Sequence, residues 1–88
     1  MTLLQLKYVV EVAKAGNITE AAKRLYLSQP SLTNAIRELE KEMQITIFCR
    51  TNRGVTVTNE GDLFLSYARQ VMEQTDILTE KFTGQGVG

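Results

Sequence analysis

Helically spaced apolar residues from Leu3 to Met43, a β-prone pair of runs around Thr51–Gly54, and a second helical period from Leu63 to Phe82 predict a mainly α fold. The expected layout is a three-helix bundle, a β-hairpin and a long C-terminal helix. With 88 residues, 43% hydrophobic and 23% charged, the chain has the composition of one globular domain. Its core must be modest, so a partner subunit would add to its stability.

The first helix is expected to begin at Thr2, because Thr2-x-x-Gln5 has the form of a capping box. Leu3, Leu6, Val10 and Ala13 then form an apolar stripe, with Val9 beside it. Gly16 is the expected stop, since glycine tolerates the left-handed conformation that ends helices. Asn17 or Thr19 caps a short second helix with Ala21, Ala22 and Leu25 on its inner face. Ser28 caps a third, with Pro30 in the first turn, where a missing N–H does no harm. Leu32, Ile36, Leu39 and Met43 share one face of this helix, and Pro30, Thr33, Asn34, Arg37 and Lys41 share the other.

Beyond Ile45 the period changes. Residues 47–50 and 55–57 read as strands, with Thr51-Asn52-Arg53-Gly54 as a tight turn. Two strands alone are marginal, so the hairpin must lean on the helices. Thr58 caps the last helix, a rod of roughly 36 Å at ~1.5 Å per residue. The expected divisions are 1–58 for the bundle and hairpin, 59–82 for the long helix, and 83–88 for a tail without periodicity.

Composition removes most chemistry. There is no histidine and only one cysteine, Cys49, so His-based triads, His metal sites, intrachain disulfides and cysteine zinc clusters are excluded. No glycine-rich phosphate loop is present. An enzyme is therefore not expected, nor a metal or other cofactor. Glu38, Glu40 and Glu42 read as a solvated acidic patch, because positions two apart on a helix do not converge. No apolar run approaches a membrane span, and the first residues carry neither a basic leader nor a small-residue cleavage site. The expected location is the cytoplasm.

Formal net charge is zero, but its distribution is uneven. Residues 1–58 hold eight basic and five acidic side chains, a balance of +3. Residues 59–88 hold two and five, a balance of −3. A basic front half is compatible with a polyanionic partner.

The second and third helices, joined around Tyr26-Leu27-Ser28, have the spacing of a helix-turn-helix. In such a unit the start of the second helix faces base edges in the major groove. Gln29, Pro30, Ser31, Thr33, Asn34 and Arg37 are available there. Gln and Asn suit adenine, Arg suits guanine, and Thr or Pro can touch a thymine methyl. The hairpin turns the unit into a winged helix-turn-helix with Arg53 at the wing tip, within reach of phosphates or a minor groove. Arg50 either contacts a phosphate or pairs with an acid. Spacing alone leaves open a plain three-helix core with a solvated polar face. It also leaves open a winged-helix protein–protein interaction module, which the zero net charge and acidic back half would suit.

The run from Ile18 to Gly61 resembles the N-terminal domain of LysR-type transcriptional regulators. The matching features are Ala21-Ala22 with Leu25, Ser28-Gln29-Pro30-Ser31-Leu32, Ile36-Arg37 with Leu39-Glu40, Phe48-x-Arg50 with Arg53-Gly54-Val55, and Thr58-x-x-Gly61. The resemblance spans about residues 3–82. It implies a bacterial regulator that binds an interrupted inverted repeat in double-stranded DNA as a dimer, with an effector-sensing domain beyond this chain. By position it implies base-facing roles for Gln29, Pro30, Ser31 and Thr33, and a wing role for Arg53. Asn34 stands where many members have Arg, Lys or Gln. Ile47 replaces a commoner leucine, and Cys49 occupies a variable strand position.

Phe64, Val71 and Leu78 recur every seven residues with Tyr67 between, a seam suited to helix pairing. Gln74 and Lys81 interrupt it as polar positions. The long helix is thus expected to form a homodimer, with room for higher oligomers in a longer protein.

Overall fold

A computed structural model describes residues 1–83. The expected tail from Gly84 onward lies outside the described residues. In chain order the elements are α1 (Leu3–Ala15), α2 (Ile18–Leu25), α3 (Gln29–Met43), β1 (Phe48–Thr51), β2 (Gly54–Val57) and α4 (Asn59–Phe82).

Side-chain oxygens start all four helices by accepting main-chain N–H groups that have no partner inside the helix. Thr2 Oγ1 accepts from the Gln5 N–H at 3.1 Å, and Gln5 Oε1 accepts from the Thr2 N–H at 3.0 Å, completing the capping box. Asn17, not Thr19, caps α2 through the Glu20 N–H at 2.6 Å. Ser28 Oγ accepts from the Ser31 N–H at 3.2 Å, with Pro30 in the first turn of α3. Thr58 Oγ1 accepts from the Gly61 N–H at 2.9 Å and itself donates to the Thr46 carbonyl.

α1 is packed by α2, α3 and α4, so its buried side is broad. The expected stripe is corrected accordingly: Leu6, Val9 and Val12 are buried, while Leu3 is 51% exposed and Val10 half-buried. Ala21 and Ala22 let α2 approach the core, which Leu32, Ile36 and Leu39 of α3, Ile47 and Leu65 complete. Met43, expected on the inner face of α3, lies at its exposed end. α4 joins the same core through Leu65 and Ala68. Its remaining turns project, giving extents of 46 × 25 × 20 Å.

The hairpin pairs Phe48 with Val57, Cys49 with Thr56, Arg50 with Val55 and Thr51 with Gly54. Ile47, expected within the first strand, precedes it. Its N–H donates to Glu40 Oε2 at 2.7 Å and its carbonyl accepts the Thr58 N–H at 3.0 Å, so neither group is free for the ladder. Glu40 also accepts the Phe48 N–H at 3.3 Å. It is therefore no part of a solvated acidic patch but a brace between α3 and the root of the hairpin.

Two glycines mark close main-chain approaches. The Val55 N–H donates to the Gly16 carbonyl at 2.9 Å, docking β2 on the α1–α2 turn. Gly54 has φ 135°, and a Cβ there would strike that carbonyl oxygen. A Cβ on Gly61 would come within 2.8 Å of Ile47 Cα. Only glycine lets the first turn of α4 sit on the segment entering the hairpin. Among the described residues, no helix is long and apolar enough to cross a membrane.

Candidate nucleic-acid interface

α2 ends on Tyr26, which adopts the left-handed conformation (φ 57°). The Tyr26 N–H donates to the Lys23 carbonyl at 3.2 Å and the Leu27 N–H to the Ala22 carbonyl at 2.9 Å. This turn closes α2, and α3 starts three residues later at Gln29. Tyr26 carries the Cβ that makes this left-handed conformation strained, and its side chain is 96% exposed.

The first two turns of α3 present Gln29, Pro30, Ser31, Asn34 and Arg37 to solvent, while Leu32 and Ile36 anchor the opposite side. Gln29, Pro30, Thr33, Asn34 and Arg37 line an open cleft with Arg50 of β1 as its far wall. The structure thus brings together side chains up to 21 positions apart, from Gln29 to Arg50. Arg53 stands away from this cluster, exposed at the hairpin tip between strands that end at Thr51 and resume at Gly54. Its N–H donates to Thr51 Oγ1 at 3.2 Å, and Thr51 Oγ1 donates to the Gly54 carbonyl at 3.3 Å.

Two residues differ in setting from their neighbours. Thr33 is half-buried, and its Oγ1 accepts a hydrogen bond from Arg50 Nη2 at 3.0 Å. Arg50 has no acidic partner among the described residues, which removes the ion-pair option left open by the sequence. The ion pairs there are Met1 amine–Glu42, Lys14–Glu11 and Arg24–Glu20, all solvent-exposed to some degree and of little weight for stability. Arg37, Arg50 and Arg53 thus have no acidic partner among the described residues.

The opposite end of the molecule is apolar. Leu63, Tyr67, Val71, Leu78 and Phe82 of α4 are exposed. A groove of about 260 Å³ is lined by Met1, Leu6, Met43, Phe64, Tyr67, Ala68 and Val71. Phe64 is half-buried against the domain's own core, whereas Val71 and Leu78 face solvent.

A helix-turn-helix backed by a hairpin, with an uncapped polar face on its second helix, defines the winged-helix class of DNA-binding domains. Residues 3–62 match the family described as bacterial regulatory helix-turn-helix protein, lysR family. The chain belongs to that family of transcription regulators and is a DNA-binding domain of its type. It is 44% identical over 77 residues to the HTH-type transcriptional regulator ClcR of Pseudomonas putida, covering 88% of this chain and 26% of ClcR. To the regulator TfdT of Cupriavidus pinatubonensis it is 47% identical over 72 residues, 82% of this chain and 32% of that protein. The chain thus spans a quarter to a third of the length of these relatives. Among solved structures it is similar to the BenM DNA-binding domain in complex with catB site 1 DNA. That likeness has a TM-score of 0.90 and 33% identity, and covers all of this chain and 99% of that one. The CbnR DNA-binding domain–DNA complex gives 0.87 and 36%, over 98% and 99% of the two chains.

Proposed function

We propose that this domain binds specific double-stranded DNA as a homodimer, each copy reading one half of an interrupted inverted repeat. The observation that carries the reading is the open polar cleft between α3 and β1, lined by Arg37 and Arg50, neither with an acidic partner among the described residues. Gln29, Pro30, Ser31 and Asn34 occupy the part of a recognition helix that meets base edges, and Arg37 lies one turn on. Arg50 and Arg53 are placed for phosphates, with the wing tip also within reach of a minor groove. The likeness to two solved DNA complexes supports the same orientation.

Dimerisation is proposed through α4. Val71, Leu78 and Tyr67 are exposed along the projecting rod, and the adjoining groove is almost wholly apolar. Such a surface is covered most simply by its own copy. As the family's regulators act on genomic DNA, the cytoplasm is the proposed location.

Fluorescence anisotropy with a duplex obtained by selection from random DNA tests the reading. Affinity should fall steeply with salt, because each phosphate contact releases counterions. Arg53→Ala should weaken selected and scrambled duplexes alike. Gln29→Ala should cost ~1–3 kcal/mol on the selected site and little on scrambled DNA. Equal affinity for both duplexes, or none at low salt, would return the domain to a protein-interaction role.

A further inference from the structure

Thr33 and Arg50 are 17 residues apart in sequence and sit on different elements, yet share the only hydrogen bond between two side chains that joins α3 to the hairpin among the described residues. Phe48 and Arg50 alternate onto the same face of β1, the face that meets α3. Phe48 packs against the core from that face, and Arg50 emerges beyond it at the rim. Thr33, Arg37 and Arg50 border both the open cleft and a smaller hollow of about 180 Å³ behind it. Thr33 is half-buried at this junction, while Gln29, Pro30 and Asn34 beside it are exposed.

The geometry points to Thr33 as a positioning residue for Arg50, holding its guanidinium ready for a DNA phosphate, rather than as a reader of bases. The inference rests on the DNA-binding reading above. A free arginine side chain must be ordered when it binds, and ordering one such side chain weakens binding several-fold. The Thr33 hydroxyl does part of that ordering in advance. One guanidinium N–H goes to Thr33, which leaves four for a phosphate in the fork geometry that suits it. The Thr33 hydroxyl is already engaged as an acceptor from Arg50, on a residue less exposed than Gln29, Pro30 and Asn34 beside it.

Anisotropy titrations over a salt series compare the wild-type chain with Thr33→Val, Thr33→Ser, Arg50→Ala and the Thr33→Val/Arg50→Ala double variant. Thr33→Val keeps the shape and removes the hydroxyl, and should lower affinity roughly three- to tenfold on selected and scrambled duplexes alike. It should flatten the slope of log K against log salt toward that of Arg50→Ala, which loses about one phosphate contact. Thr33→Ser should restore both, and Thr33→Val should add nothing once Arg50 is alanine. An additive double variant, or a Thr33→Val effect confined to base preference with an unchanged salt slope, overturns this assignment while DNA binding stands. A wild-type chain that does not bind DNA overturns both.

Discussion

At the residue scale, the turn of the helix-turn-helix rests on an unfavourable choice. Tyr26 takes a left-handed conformation that costs an L-residue ~1–2 kcal/mol, where glycine would adopt it freely. Its side chain, 96% exposed, returns little by packing. Tyr26→Gly should therefore stabilise the domain, by ~0.5–1 kcal/mol once the extra freedom of glycine in the unfolded chain is subtracted. Thermal melting should show a midpoint several degrees higher. A lower midpoint would mean that the ring makes a stabilising contact in solution. Glu40 shows the converse: an ordinary helical glutamate by sequence, it accepts two hairpin N–H groups at 2.7 and 3.3 Å. No local pattern marks it, because its partners lie seven and eight residues away across a turn.

At the element scale, the relation of α4 to the bundle is set by backbone contact. Gly61 is buried where the first turn of α4 crosses Ile47, and the Ile47 main chain is fixed by Glu40 on one side and Thr58 on the other. A methyl group at position 61 would overlap main-chain atoms that cannot rotate away. Alanine gains ~1 kcal/mol in helix propensity over glycine. Overpacking against fixed backbone costs ~1–3 kcal/mol or more, so the steric term wins. Gly61→Ala should lower stability by ~1–2 kcal/mol in urea denaturation, and a variant as stable as wild type would show that α4 slides without penalty. The hairpin is likewise placed by contact, through the Val55–Gly16 hydrogen bond and the Thr33–Arg50 bond, since two strands of four residues have little stability of their own.

At the scale of the whole molecule, polar and apolar surfaces separate to different sides. The cleft of α3 and β1 carries free arginines, and α4 carries exposed Tyr67, Val71 and Leu78 with a net acidic flank. With this division, the dimer proposed through α4 would leave the polar face of α3 uncovered. Val71→Glu places a charge in the middle of the proposed seam and leaves the buried Leu65 and Ala68 untouched. It should shift the protein toward monomer in sedimentation at micromolar concentration, with its helix content retained. It should also weaken binding to a two-half-site duplex far more than to a single half-site. An unchanged mass would remove α4 from the interface.

Sequence by itself determined the elements and their order, because caps and periodicity act within four residues. Thr2, Ser28, Thr58 and Gly16 sit where their local chemistry puts them, and the polar run from Gln29 to Arg37 was legible for the same reason. Tertiary structure alone decided which apolar residues of α4 go inside. Leu65 and Ala68 are buried, and Tyr67, which lies between them and next to Ala68, is not. That choice depends on the direction from which α1 approaches α4, which no period along one helix encodes. The partners of Glu40 and Thr33 were decided in the same way: a hydrogen bond between elements exists only after both have been placed.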